Sequence, residues 1–151
     1  MGSSGPLVNT LQSMHRVGID TPIFIYHIQQ STPWNMAASA VLRAVADGHY
    51  EGIASVITLL EITVQPLRVG RPEIADVYEA LLRDIPNLTI VDVDSRVTRI
   101  AAELRAAYGL RTPDAVQIAA CLAHGAETFI TNDRRLRRVT EIDVRMLADL
   151  A

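Results

Sequence analysis

Residues 111–136, RTPDAVQIAACLAHGAETFITNDRRL, constrain the fold more tightly than any other stretch. The spacing predicts a helix with almost no polar side, since Ala115, Val116, Ile118, Ala119, Ala120 and Cys121 leave little surface for water. Such a helix must be enclosed by other elements. Its limits are legible too. Thr112 suits the N-cap, Pro113 the first helical position, and Asp114 puts a carboxylate in the first turn. His124-Gly125 reads as the end, with Gly125 free to take left-handed backbone. A β-prone run over 128–131 follows and stops at Asn132-Asp133. Two carboxylates, Asp114 and Asp133, thus fall at element ends on either side of one buried helix. Either alone reads as a cap; acids in equivalent places elsewhere change that reading.

The rest of the chain supplies them. Residues 17–20 predict a short strand ending in Asp20, and Thr21-Pro22 repeats the cap-and-proline signature before a helix over 23–30. Asp20 is there either a cap or a site residue. Pro33 and Trp34 lead into a second helix with Ala37, Val41, Leu42 and Val45 on one face. A strand over 52–56 precedes a helix over about 58–66 that carries Glu61 among Leu59, Leu60, Ile62 and Val64. That glutamate lies on an exposed stripe or in a cleft. Arg71-Pro72 opens an amphipathic helix (Ile74, Val77, Tyr78, Leu81), closed by Pro86-Asn87. A strand over 88–91, a helix capped by Asp94-Ser95 and stopped by Gly109, and a last strand within 139–144 complete the series. Strands alternating with helices imply an α/β chain, a mainly parallel sheet with helices on both faces. Ligands of such sheets gather at the carboxyl ends of the strands, where Asp20 and Asp133 fall.

At 151 residues the chain is long enough for one domain with a real core. That domain is expected over 14–151, after an aperiodic tail over 1–13 that reads as disordered or expression-derived. Without a secretory signal or a run of membrane length, the expected location is the cytoplasm. Cys121 is the single cysteine, so it forms no internal disulfide and reads as a small apolar filler. The net charge of −3 argues against a generally basic nucleic-acid binder. All fourteen cations are arginines, however, and arginine pairs well with phosphate. Arg134, Arg135, Arg137 and Arg138 crowd directly behind Asp133, as a solvated face or as an RNA contact.

Clustered carboxylates destabilise a fold unless something neutralises them. A hard divalent cation, Mg²⁺ or Mn²⁺, does so through carboxylate oxygens while keeping waters for substrate. It then activates a water and steadies charge on a phosphoryl group. No zinc pattern competes, because His15, His27, His49 and His124 are scattered. There is no P-loop, dinucleotide fingerprint or nucleophile elbow. His27 and His124 read as packed or surface histidines, and Tyr26 and Trp34 as core aromatics.

The pieces GIDTPIFIYHI, SVITLLEI and RTPDAVQIAACLAHGAETFITNDRRL, in that order, resemble the PIN domain, and more closely its VapC-type ribonuclease toxins. The resemblance implies a three-layer α/β/α fold and Mg²⁺- or Mn²⁺-dependent endoribonuclease activity. It also implies homodimerisation and control by a small antitoxin that covers the active site. By position, Asp20, Glu61, Asp114 and Asp133 correspond to the family's acidic quartet. Thr131 matches a polar position beside the last acid, and Asn132 is given a supporting role at most. Two other readings compete. Asp92-Val93-Asp94 has a superficial likeness to Mg²⁺-dependent phosphotransfer domains, but those rely on a lysine that this chain lacks, and Asp94 reads better as a helix cap. A non-catalytic PIN-like domain that only binds RNA or a partner is the other.

Overall fold

Residues 16–150 are described by a computed structural model; the expected tail over 1–13 lies outside them. Five short strands, β1 (Arg16–Ile19), β2 (Glu51–Ser55), β3 (Leu88–Val91), β4 (Thr128–Thr131) and β5 (Asp143–Met146), pair in the order β3-β2-β1-β4-β5. Every pairing is parallel. Parallel neighbours cannot be joined by a tight turn, so the connections are helical. They are α1 (Thr21–Gln29), α2 (Asn35–Ala46), α3 (Val56–Arg68), α4 (Pro72–Arg83), α5 (Ser95–Tyr108) and α6 (Thr112–Ala123). A 3₁₀ turn (Arg134–Arg138) precedes β5, and a short α7 (Leu147–Leu150) follows it.

Successive strand side chains point to opposite faces, and this splits the interior into two cores. Val17, Ile19, Ala54 and Ile130 pack with α1–α4 and α7. Ile53 and Phe129, their neighbours along the same strands, pack with α5 and α6. The expected three-layer α/β/α architecture is the observed one. The largely apolar helix α6 is buried from Ala115 through Cys121, Gln117 included. It lies close on the central strand because Gly18 has no side chain there. A Cβ at that position would stand 2.5 Å from Cys121 Sγ and 2.8 Å from Cys121 Cβ. Complete burial pushes the Cys121 thiol up to about 12, consistent with an inert filler.

Several boundaries differ from the sequence expectation. Helix α6 starts at Thr112, with Arg111 in the capping position and no side-chain cap bond, so Thr112 is a first-turn residue and not the cap. Helix α3 starts two residues early, at Val56 behind a Ser55 cap, and continues through Pro66 to Arg68. Pro66 is buried, and its packing outweighs the helix hydrogen bond that proline cannot donate. The last strand is Asp143–Met146 and not 139–144. Val139 and Ile142 are apolar because they anchor a loop into the core beside α5 and α6. Asp94 caps α5, accepting from the Val97 N–H at 3.0 Å, and Gly109 ends it in left-handed backbone. Among the described residues, no helix is long and apolar enough to cross a membrane.

From β1 the chain steps outward to β2 and β3, then returns to the other side of β1 for β4 and β5. The order reverses between β1 and β4, which opens a crevice beyond their carboxyl ends. Gly18→Ala tests the close approach that supports this arrangement. It is expected to destabilise the protein by about 1–3 kcal/mol through overpacking. Cys121→Ala in the same chain should recover part of the loss, measured by urea denaturation.

Candidate active site

Asp20 stands at the end of β1, on the floor of that crevice, and is 6% exposed. Its backbone N–H extends the ladder to the Ile130 carbonyl at 3.0 Å. Oδ1 accepts the Thr21 N–H at 2.9 Å, which caps α1, and Oδ2 accepts the Thr131 hydroxyl at 2.8 Å. Burial raises its pKa from the ordinary 3.8 to about 6, and the charges of Asp114 and Glu61 push the same way against those two hydrogen bonds. Asp20 is therefore a cap and also a carboxyl held where charge is costly.

Asp133 follows β4. Its N–H donates to Thr131 Oγ1 at 3.1 Å, so the buried Thr131 hydroxyl links the first acid to the last. The Arg135 guanidinium forks onto Asp133, with Nε 3.0 Å from Oδ1 and Nη2 2.6 Å from Oδ2. That contact holds the Asp133 carboxyl below the usual range. Asp114, in the first turn of α6, accepts from Arg111 Nε at 3.1 Å. Glu61, exposed in the second turn of α3, accepts from the Thr21 hydroxyl at 2.7 Å and from Gln117 Nε2 at 3.2 Å. All four acids line one cleft of about 420 Å³.

The other expected residues separate. Asn132 turns away to Tyr26 Oη at 3.4 Å. Arg135 is tied to Asp133, and Arg137 pairs with Asp149 at 2.6 Å. Arg134 and Arg138 are exposed without an ion pair among the described residues. Tyr26 and Trp34 pack partly buried against the core. His27 bonds Ser39 at 2.7 Å and does not line the cleft. Sequence reasoning missed Arg111, Thr21, Thr58 and Gln117. The signals were present for two of them: Arg111 and Gln117 lie three residues either side of Asp114, and Gln117 is the one polar side chain inside an apolar helix.

The donor set is all oxygen, the type that hard divalent cations take. In the arrangement described, two of the four carboxylates are occupied by arginines. Among the described residues, no three Asp, Glu, His or Cys side chains form a group ready to hold a metal ion. The residue types and their convergence fit a cation; their closure around it requires Arg111 and Arg135 to release Asp114 and Asp133. Both guanidiniums are about two-thirds exposed while their carboxylates are 15% and 25% exposed, so water screens each pair from the arginine side.

A parallel α/β domain with an acidic cleft at its switch point is a small class of protein. Within that class, residues 17–142 match the PIN domain family model, and the chain belongs to the PIN-domain family. The fold is shared with solved structures at low identity. VapBC2 from Rickettsia felis, bound to a DNA fragment from its promoter, superposes with a TM-score of 0.70 at 18% identity, over 87% of this chain and 98% of that one. DNA-bound VapBC from Salmonella typhimurium gives 0.67 at 20% identity, over 89% and 99%. VapC20 of Mycobacterium tuberculosis, described as a sarcin-ricin loop cleaving toxin, gives 0.62 at 15% identity, over 84% and 98%. No curated protein is matched by the sequence.

The raised pKa of Asp20 predicts a pH dependence. Between pH 4 and 6 the folded protein keeps a proton on Asp20 that the unfolded chain has released, so metal-free stability falls as pH rises through that window. The shift of about two units corresponds to roughly 3 kcal/mol. Asp20→Asn should therefore be more stable than wild type at pH 7 in chelator, by up to about that amount. Below pH 4 the two should converge, as read from urea midpoints across pH.

Proposed function

We propose that the protein is a Mg²⁺- or Mn²⁺-dependent endoribonuclease, the toxin of a toxin–antitoxin pair. The observation that carries this reading is the convergence of Asp20, Glu61, Asp114 and Asp133 from four separate segments on one cleft. The fold neighbours support it, since one of them is described as a sarcin-ricin loop cleaving toxin. In this reading the four carboxylates hold the metal, with Thr131 aligning Asp20 and Asp133. The bound cation supplies an activated water and neutralises charge on the scissile phosphate. Arg111 and Arg135, once released from their acids, are placed at the rim for the RNA backbone. Arg134 and Arg138 extend that basic edge. RNA as substrate and the cytoplasm as location belong to the same reading, as does a homodimer.

An antitoxin has a surface to occupy. A second cavity of about 230 Å³, between α1, α3 and α4, is walled by Ile25, Ile28, Ile62, Pro66, Ile74 and Tyr78. Glu61 and Ile25 line both cavities, so the apolar groove runs into the acidic cleft. A partner helix bound there by its apolar face brings an arginine within reach of the acids, where its planar fork displaces the metal.

Incubating purified protein with structured and single-stranded RNAs, in Mg²⁺ and in chelator, tests the activity. Cleavage should require metal and fall at least a hundredfold on Asp114→Asn or Asp133→Asn, removal of one charge-stabilising group costing roughly that factor. RNA binding without cleavage at any metal concentration would select the non-catalytic reading. Neutralising Arg134 and Arg138 should flatten the salt dependence of RNA binding by up to about two phosphate contacts. An unchanged slope would return them to a solvated face.

A further inference from the structure

Three buried polar side chains beside Glu61 have no part in the chemistry above. Thr21 on α1, Thr58 on α3 and Gln117 on α6 are 3%, 0% and 2% exposed. Gln117 Nε2 lies 2.6 Å from Thr21 Oγ1, 3.1 Å from Thr58 Oγ1 and 3.2 Å from Glu61 Oε1. The two threonine hydroxyls are 2.9 Å apart, and that of Thr21 reaches Glu61 Oε1 at 2.7 Å. One assignment of hydrogens satisfies the cluster. Thr58 donates to Thr21, Thr21 donates to Glu61, and the amide gives one hydrogen to Thr21 and shares the other between Thr58 and Glu61.

Two features set this cluster apart from ordinary core. Glu61 has no guanidinium partner, unlike Asp114 and Asp133; its partners are neutral donors, and all of them fall on Oε1. Among the described residues, Oε2 takes no hydrogen bond. Second, Gln117 Oε1 is buried with no partner at all. A buried carbonyl without a donor is costly, and a leucine would fill the space without that cost. Reversing the amide would aim that oxygen at the Glu61 carboxylate, so the charge on Glu61 sets the orientation.

We propose that Gln117, together with Thr21 and Thr58, is a positioning set for Glu61, fixing Oε1 so that Oε2 is presented to a cation in the cleft. The inference rests on the metal-dependent reading above. The amide belongs to the site and not to the core, and the orphaned carbonyl is the stability given up for it. Because the donors are neutral, they orient Glu61 without competing for its charge.

Titrating Mn²⁺ alone, with the free ion followed by electron paramagnetic resonance, separates the two readings. Gln117→Leu is expected to weaken Mn²⁺ binding about ten- to a hundredfold, the usual effect of removing a group that orients a metal ligand. The melting temperature in chelator should not fall, because the unsatisfied carbonyl leaves with the amide. In a Glu61→Gln background the same substitution should have no further effect, since the role acts through Glu61. Thr21→Val should weaken binding in the same direction, and Thr21→Ser should keep the wild-type affinity; this pair decides the matter if Gln117→Leu does not fold. Equal affinity of wild type and Gln117→Leu, or an undiminished loss in the Glu61→Gln background, overturns the positioning role. Failure of the wild type to bind Mn²⁺ overturns the metal-dependent reading beneath it.

Discussion

Asp20 joins three elements through two oxygens. Its backbone ends the central strand, Oδ1 starts α1 through the Thr21 N–H, and Oδ2 takes the hydroxyl of Thr131 from β4. The sheet reverses its order between those two strands, so the carboxyl occupies the one crevice that the topology opens. Burial there makes the charged form expensive, and the nearby charges of Asp114 and Glu61 add to the cost. A neutral residue would cap α1 more cheaply. The structure keeps an acid at this position and arranges the other three around it.

The four acids are balanced in different ways. Asp133 and Asp114 are part-buried, and exposed arginines three or fewer residues away in sequence offset their charge. Asp20, deepest, is balanced by neutral donors and by a raised pKa. Glu61 is held by hydroxyl and amide groups from two other helices. Charge neutralisation thus falls on Asp114 and Asp133, through arginines that are about two-thirds exposed. Orientation falls on Asp20 and on the exposed Glu61, through buried hydroxyls and a buried amide.

Most of the architecture was legible in the chain because it depends on local patterns. Helix α6 could only be buried, Asp94 and Gly109 bracket α5 through backbone geometry, and the alternation of short strands with helices implies parallel crossovers. Boundaries failed where packing overrode propensity. Pro66 does not stop α3 because it is buried within it. Val139 and Ile142 suggest a strand but serve as loop anchors, since apolar composition alone does not distinguish a buried strand from a buried loop.

The four acids, the caps of α1 and α5 and the order of the elements follow from residue type and from near neighbours in the chain, and the sequence by itself determined them. How Asp20 and Glu61 are held does not follow in that way. The partners of Glu61 lie 40 and 56 residues away, and Thr131 reaches Asp20 across 111. Only the closing of the sheet brings such groups within 3 Å or so, because a hydrogen bond depends on distance and angle and not on spacing along the chain. The fold also decided that Arg137 faces Asp149 while Arg135 turns back to Asp133, which four arginines within residues 134–138 could not reveal. A turn of 3₁₀ helix sends successive side chains in different directions, and that geometry exists only in the fold.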